Sequence, residues 1–290
     1  MKGVFTLVPS ESRRLIGKAV AALDEVKEAL ENGYVVINGG TTNAYIAQEI
    51  LGTKDIPPQK FTAGTNTHRL LCVTKIEDRY PFPIILYKGK QVQKTHKEVF
   101  EDFHLNTVMI KGGNCIDPDM NVGVITSGFD GGTVGQTLGY MSSTGLDYVI
   151  AVGLEKLIPS VPEAVAAVGA KTFDYSMGAN FGIFLMPPGS KVITEIQALK
   201  ILANVEAKLV AAGGIGESAG SVVLTIEGAE PNFKKAIALV ESIKGEPPIS
   251  GMKGLCKTCL YACAFQGKEE SQLPPCLLYT SPSPRDRTRS

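Results

Sequence analysis

The fold of this chain is set by the stretch Tyr34–Asn43, which reads YVVINGGTTN. Its apolar run leads into two glycines and then into a helical pattern. Two later stretches share this composition, Thr107–Asp117 (TVMIKGGNCID) and Val122–Gly135 (VGVITSGFDGGTVG), and the later one also runs into a helical pattern. Glycine allows the backbone to turn with positive φ and to approach a ligand closely. Such loops after apolar strands predict the ligand crevice of an open α/β sheet.

The wider pattern indicates the same fold class. Apolar runs alternate with helical periodicity, which favours an α/β protein with an open, mostly parallel sheet and helices on both faces. We expect an α/β core over residues 1–190, in which one helix runs from Ser10 to Gly33. A small α+β subdomain should follow over residues 191–246, and a cysteine-rich segment over residues 247–275.

The last fifteen residues, 276–290, resemble the translation of a sequencing adapter. We therefore exclude them from the predicted fold and expect the natural sequence to continue past Pro275. The alternative is a natural disordered tail rich in serine, proline and arginine.

Composition excludes several classes of protein. Hydrophobic residues make up 44% of the chain and charged residues 20%, as in a globular protein with a buried core. The 29 basic and 29 acidic side chains cancel, which argues against a nucleic acid partner. The chain shows no membrane span and no secretory signal, and its cysteines do not form an extracellular disulfide framework, so we expect a cytoplasmic protein. The sequence leaves open whether the protein forms a homo-oligomer.

The glycine loops supply the predicted ligand-binding residues, because a helix that begins there presents unpaired N–H groups that favour an anion. These residues are Gly39, Gly40, Thr41, Thr42 and Asn43 in the first loop, Gly112, Gly113 and Asn114 in the central loop, and Gly131, Gly132 and Thr133 in the third loop. The alternative for the threonines and Asn43 is that they only cap a helix.

The central loop also carries the predicted catalytic residues. Asp117 and Asp119 are candidates because a proton-transfer enzyme needs a carboxylate that faces the crevice. An Asx turn, in which the carboxylate only holds the backbone, explains these residues equally well. Lys111 is a candidate partner for a phosphate or a carboxylate, or else a solvated lysine at a strand end. The pair Glu155-Lys156 is typical of an ordinary surface pair.

A cysteine motif stands in the C-terminal segment. Cys256, Cys259 and Cys263 have the spacing C-x2-C-x3-C, which predicts an iron–sulfur cluster or zinc held by thiolates. Three thiolates need a fourth ligand to close the site. Cys276 lies at the junction with the adapter-like segment 276–290 and is not assigned as the fourth ligand. The alternative is three inert thiols in a disordered end. Cys72, in an apolar strand, is predicted to lie in the core.

The three glycine loops, Gly39–Tyr45, Gly112–Gly123 and Gly131–Gly135, resemble those of the NagB/RpiA/CoA-transferase-like superfamily. The resemblance covers roughly residues 10–190. That group includes ribose-5-phosphate isomerase, glucosamine-6-phosphate deaminase and CoA transferases, so the resemblance implies an isomerase or a group-transfer enzyme. The isomerase's aspartate pair is not reproduced, because Asn114 and Cys115 occupy that part of the central loop.

These observations predict a protein that binds a small phosphorylated or carboxylated metabolite at its glycine loops. It would isomerise this metabolite or transfer a group on it. The alternative is a non-catalytic metabolite or redox sensor with an iron–sulfur or zinc module. A catalytic site should place a carboxylate or a lysine with a shifted pKa beside the loops, whereas a sensor should show only neutral donors there.

Overall fold

A computed structural model describes residues 1–102 and 104–275, apart from the side chain of Thr65. The predicted adapter-derived segment, 276–290, lies outside these residues, and so does Cys276. Within the described residues, no helix has both the length and the apolar composition needed to cross a lipid bilayer.

The elements alternate along the chain between strands and helices. The strands are β1 (Lys2–Leu7), β2 (Tyr34–Ile37), β3 (Gly64–Thr67), β4 (Leu70–Val73), β5 (Ile84–Tyr87), β6 (Lys90–Val92), β7 (Thr107–Gly112), β8 (Cys115–Ile116), β9 (Val122–Thr126), β10 (Asp147–Ala151), β11 (Gly182–Leu185), β12 (Lys191–Ile193), β13 (Glu206–Gly213) and β14 (Ser221–Glu227). The α-helices are α1 (Pro9–Ala21), α2 (Asp24–Asn32), α3 (Thr41–Leu51), α4 (His96–Glu101), α5 (Gly132–Thr144), α6 (Val161–Ala166), α7 (Glu195–Ala203) and α8 (Glu230–Ile243).

A mixed sheet of six strands, in the order β12-β10-β7-β2-β5-β6, forms the centre of the α/β fold. The first four strands are parallel to one another, whereas β5 and β6 form an antiparallel hairpin beside β2. Ile37 lies opposite Ile110, and Ala151 lies opposite both Gly112 and Ile193. The carboxyl ends of the four parallel strands therefore meet along one edge of the sheet.

Alternate residues of the central strands are buried on opposite faces of the sheet. Val35 and Ile37 pack into one core together with helices α1, α3, α7 and α8. Tyr34 and Val36 pack into a second core together with α4, α5 and β9. Because both faces are covered, the strands need apolar residues at every position, which explains their continuous apolar runs.

The segment 191–246 is built into both the main sheet and the first core. It supplies β12 to the six-stranded sheet, and its strands β13 and β14 join the N-terminal β1 in a three-stranded antiparallel sheet. Leu224 of β14 and Ala236 of α8 pack in the same core as Leu15 of α1. The apolar pattern does not single out β1, whose side chains alternate between exposed and half-buried until Leu7.

The predicted single helix from Ser10 to Gly33 is wrong, because it is divided into α1 and α2. Leu23 has an extended backbone, with φ −61° and ψ 139°, which ends one helix and starts the next. Asp24 and Glu25 then occupy the first turn of α2, where negative charge interacts favourably with the helix dipole.

The predicted place of the strand 122–126 in the main sheet is also wrong. This strand, β9, pairs antiparallel with β8 and β11 in a separate three-stranded sheet. The connection from Ile116 to Val122 is a short turn, whereas a parallel crossover needs a dozen or more residues. The apolar pattern alone does not distinguish these two connections.

Candidate functional site

Charged side chains gather at the carboxyl edge of the four parallel strands. Lys111 lies near the end of β7, and Glu155 and Lys156 lie in the 3₁₀ turn after β10. Glu195 follows β12 at the start of α7, and α1 contributes Arg13. Ligands of open α/β sheets bind outside this edge, so these residues define the candidate site.

Glu195 is the most deeply buried acid of this group, with a solvent exposure of 0%. Its Oε2 accepts a hydrogen bond from the backbone N–H of Leu154 at 3.0 Å, whereas Oε1 has no partner in hydrogen-bonding geometry. Burial, and then the charge of Glu155, raise the pKa of Glu195 to about 7. Its carboxyl group can therefore both hold and release a proton near neutral pH.

Glu155 brings a second carboxylate to the same place. Its Oε1 lies 3.6 Å from a terminal nitrogen of Arg13, and its Oε2 is buried without a hydrogen-bond partner. The carboxylate folds back over Gly153, where an added Cβ would lie only 1.8 Å from Oε2. The glycine after β10 therefore makes room for Glu155. Arg13 Nε is also buried without a partner.

Two lysines face the site from neighbouring loops. Lys111 Nζ donates a hydrogen bond to the Gly39 carbonyl at 3.3 Å, and Lys156 Nζ donates one to the Gly113 carbonyl at 2.9 Å. Burial, and then the charge of Lys156, lower the pKa of Lys111 to about 8. Burial also lowers the pKa of Lys156, against an opposing effect of Glu155. Because the two lysines repel each other, an anion placed between them would stabilise both charges.

The first glycine loop presents an amide oxygen to the same region. Asn43 is fully buried in α3, and its Nδ2 donates to the Asn38 carbonyl at 2.7 Å. Its Oδ1 has no hydrogen-bond partner and faces Gly112 of the central loop. The loop itself is fixed by the hydrogen bond from Gly40 N–H to the Phe61 carbonyl at 2.6 Å. We call Arg13, Asn43, Lys111, Glu155, Lys156 and Glu195 the strand-edge cluster.

A cavity of about 630 Å³ adjoins the strand-edge cluster. Arg13 and Thr41 line it at the N-terminal ends of α1 and α3, and Thr62 and Asn66 line it from the segment around β3. Residues 245–252 close it from the C-terminal side. Arg13 thus belongs to both the cluster and the cavity, and connects the buried acids to an open space of ligand size.

The predicted catalytic acids of the central loop hold a turn. Asp117 is buried and accepts hydrogen bonds from the N–H groups of Asp119, Asn121 and Val161, and from the Asn121 side chain. Burial alone would raise the pKa of Asp117, but the hydrogen bonds from Val161 and Asn121 outweigh it and lower the pKa. The side chain of Asp119 is exposed. This geometry matches the Asx-turn alternative.

The third glycine loop follows β9 and so does not extend the row of parallel strand ends. Gly131 and Gly132 both have positive φ, and the ring of Phe184 leaves no room for a side chain at Gly131. Asp130 Oδ1 accepts the Gly132 N–H at 2.9 Å and so satisfies the start of α5. Turn geometry and packing account for these glycines.

Local hydrogen bonds or close packing also account for three other predicted ligand residues. Asn114 Oδ1 accepts the Ile125 N–H at 3.0 Å, and the Thr133 carbonyl accepts the Thr137 hydroxyl at 2.8 Å. An added Cβ at Gly113 would lie 2.5 Å from the Val122 side chain.

Sequence reasoning missed most of the strand-edge cluster. Glu155 and Lys156, interpreted as a surface pair, are half-buried and contact Arg13 and the Gly113 carbonyl. Glu195 and Arg13 were not singled out. A usable signal existed for Glu195, because it directly follows the apolar end of β12, where a strand-end ligand site is expected. Arg13 carried no such signal, because helix packing alone brings it to the site.

The three cysteines of the C-terminal motif are also described. Cys256 begins a 3₁₀ turn, Cys256–Thr258, and is buried, whereas Cys259 and Cys263 are half-buried. Across residues 1–102 and 104–275, no three or more His, Cys, Asp or Glu side chains are gathered closely enough to hold a metal ion.

Comparison of the chain with protein-family models, with curated proteins and with solved structures finds no match. The functional interpretation therefore depends on the geometry of the site.

Proposed function

We propose that the strand-edge cluster binds a small anionic metabolite, phosphorylated or carboxylated, in the adjoining cavity. Arg13 lines this cavity, and Lys111 and Lys156 add positive charge at the ends of β7 and β10. The buried Nε of Arg13 and Oδ1 of Asn43 have no protein partner, and buried polar groups normally have one. A bound anion would pair with the guanidinium of Arg13, which lines the cavity.

The cluster also supports catalysis by proton transfer, as in an isomerase or a group-transfer enzyme. The observation that carries this proposal is Glu195, a fully buried carboxyl group whose Oε1 has no partner in hydrogen-bonding geometry and whose charge acts on Lys156. Glu195 would take a proton from a carbon next to a carbonyl and return it to the neighbouring atom. Lys111 would stabilise the negative charge that develops on the carbonyl oxygen. A purely sensing site would not need an acid whose pKa lies near 7.

The resemblance to the NagB/RpiA/CoA-transferase-like superfamily agrees with this proposal at the level of the α/β fold and the strand-end loops. The proposed proton-transferring acid, however, is Glu195 at the end of β12, and not an aspartate of the central loop. The free thiols of the described cysteines are compatible with a cytoplasmic protein.

A second candidate function is a redox sensor that carries an iron–sulfur or zinc module. One observation favours it: Cys256, Cys259 and Cys263 line a common cavity. Such a module is also compatible with an enzyme. The tests below therefore measure anion binding and proton transfer separately.

Binding is tested by thermal unfolding in the presence of inorganic phosphate, ribose 5-phosphate or succinate. We expect at least one of these anions to raise the melting temperature of the wild-type protein, because a ligand of the folded state stabilises it. The Lys111→Met variant should lose this shift. The Lys200→Met variant, the same substitution at an exposed lysine of α7, should keep it. An equal shift in the wild type and in Lys111→Met would contradict the proposed site.

Catalysis is tested by nuclear magnetic resonance in D₂O with ribose 5-phosphate and with succinate, the two probes that carry carbon-bound protons. We expect the wild type to exchange a carbon-bound proton of one of these molecules for deuterium. Glu195→Gln should abolish the exchange and still bind the anion, because the amide keeps the shape of the carboxyl group without its basicity. Binding without exchange in the wild type would favour the sensor.

A further inference from the structure

A second cavity, of about 190 Å³, lies between the β3–β4 hairpin and the C-terminal segment. Cys72 of β4 lines it together with the three cysteines of the motif, Cys256, Cys259 and Cys263. All four are free thiols, and Cys72 and Cys263 pack against the buried Cys256 in one apolar cluster. Cys72, which is distant in sequence from the motif, thus lines the same cavity as the motif.

Backbone hydrogen bonds hold the two sides of this cavity together. The N–H of Gly254 donates to the Val73 carbonyl at 2.9 Å, which fixes the C-terminal segment beside β4. The N–H of Gly267 donates to the Cys256 carbonyl at 2.9 Å, which closes the loop that carries the motif. The cysteines are therefore positioned by the fold, and Cys72 lies on a regular strand.

Basic side chains lie at this cavity, because Lys75 and Arg79 line it together with the cysteines. The backbone N–H of Phe265 donates to Cys263 Sγ at 3.4 Å, a kind of bond that tunes iron–sulfur clusters. Thiols lose their protons when they bind a metal cation.

The size of the space distinguishes two kinds of metal group. Tetrahedral zinc, with Zn–S bonds of about 2.3 Å, would draw its sulfurs to within ~3.8 Å of one another. In the described part of the chain, no three metal-ligating side chains are gathered closely enough to hold an ion. The four cysteines line one cavity of about 190 Å³, a space larger than a single ion needs, which favours a polynuclear group.

We propose that Cys72 is the fourth thiolate of an iron–sulfur cluster held by Cys256, Cys259 and Cys263. Four cysteines are the usual ligand set of such clusters. This site and the 630 Å³ cavity have no lining residue in common, so the inference stands or falls independently of the anion-binding function.

The test is anaerobic reconstitution of the full-length protein with ferrous iron and sulfide, followed by iron and sulfide analysis. We expect about four iron atoms per chain in the wild type if the cluster is of the cubane type. Cys72→Ser should lose more than half of this iron. Two controls should keep all of it: Cys115→Ser, at a buried free cysteine of β8, and Cys276→Ser.

Several results would overturn the inference. These are full iron content in Cys72→Ser, loss of iron in Cys276→Ser, a disulfide that includes Cys72 in anaerobically purified protein, and a wild type that takes up only zinc. Because Cys72→Ser could fail to fold, a second measurement uses the wild type alone. Labelling with N-ethylmaleimide and peptide mass analysis should show Cys72 protected after reconstitution and labelled before it. Equal labelling of Cys72 in the two states would count against the proposal.

Discussion

Glu195 shares its buried environment with Glu155, whose charge adds to the effect of burial and raises the pKa of Glu195 to about 7. The two acids come from the ends of neighbouring parallel strands, β12 and β10. Glu155 contacts Arg13, whereas Glu195 accepts its hydrogen bond from a backbone N–H. The pair therefore contains one acid with a cationic partner and one acid that favours its protonated form.

This relationship predicts a pH-dependent effect of Glu195→Gln on stability. The folded protein holds the proton of Glu195 more tightly than the unfolded chain, whose carboxyl group has a pKa near 4.5. Glu195 therefore destabilises the wild type progressively as the pH rises from 4.5 to 7, by about 3 kcal/mol in total. The free energy of unfolding of Glu195→Gln, relative to the wild type, should increase over the same range. Urea titrations at several pH values measure this difference.

The matched control is Glu28→Gln, at an exposed position of α2. Its stability relative to the wild type should be independent of pH within ~0.5 kcal/mol. A flat difference for Glu195→Gln as well would mean that Glu195 is not buried as described.

Lys111→Met should stabilise the protein while it removes anion binding. The folded state disfavours the charged form of Lys111, because burial and Lys156 lower its pKa to about 8. The gain, up to about 3 kcal/mol at pH 7, should shrink between pH 8 and pH 10.5, where the wild-type lysine loses its proton in the folded state. Urea unfolding at pH 7 and pH 10 checks the sign. A destabilised Lys111→Met variant at pH 7 would mean that the surroundings do not disfavour the Lys111 charge.

Asp117→Ala should destabilise the protein by about 2–3 kcal/mol, because the donors that its carboxylate satisfies become unpaired. The cost should decrease in acid, as protonation of the wild-type carboxylate removes its advantage. Asp119→Ala, two residues away at an exposed side chain, should change stability by less than ~0.5 kcal/mol. Equal effects of the two substitutions would contradict the turn-holding assignment.

Two glycines of α5, the helix that begins at the third glycine loop, provide a matched pair of substitutions that test the packing there. An added Cβ at Gly135 would lie 2.0 Å from the Asp130 carbonyl oxygen, whereas one at Gly139 would meet nothing within 4 Å. Gly135→Ala should therefore destabilise the protein by about 1–3 kcal/mol. Gly139→Ala should stabilise it by up to ~1 kcal/mol, the difference in helix propensity. Chemical denaturation of both variants measures the contrast, and the opposite order would refute the packing explanation.

The features that sequence predicts well here are local. The ends of β2 and β7 follow from apolar runs that stop at Asn38-Gly39 and at Lys111-Gly112, and Lys111 was found in this way. A strand that is buried on both faces can be recognised from its own apolar residues, without knowledge of the elements that cover it.

The features that sequence does not predict depend on which elements meet. Arg13 lies beside another arginine in α1, and only the packing of α1 near the end of β10 turns its side chain toward Glu155. The pairing partner of β9 depends on the length of one turn. Cys72 is a plain apolar-strand residue until the C-terminal segment docks against β4.

The segment 245–267 contributes walls to both cavities, since residues 245–252 line the larger one and residues 254–263 line the smaller one. Its first part, 245–250, has no regular secondary structure and is largely exposed, which is the kind of site where proteases cut. A single cleavage there would remove the covalent link between α8 and the cysteine motif. The nicked protein would then hold its cysteine module by the backbone bonds to β4 and to the loop around residues 176–180, and by the packing of Cys256, Phe265 and Leu273 against Leu70.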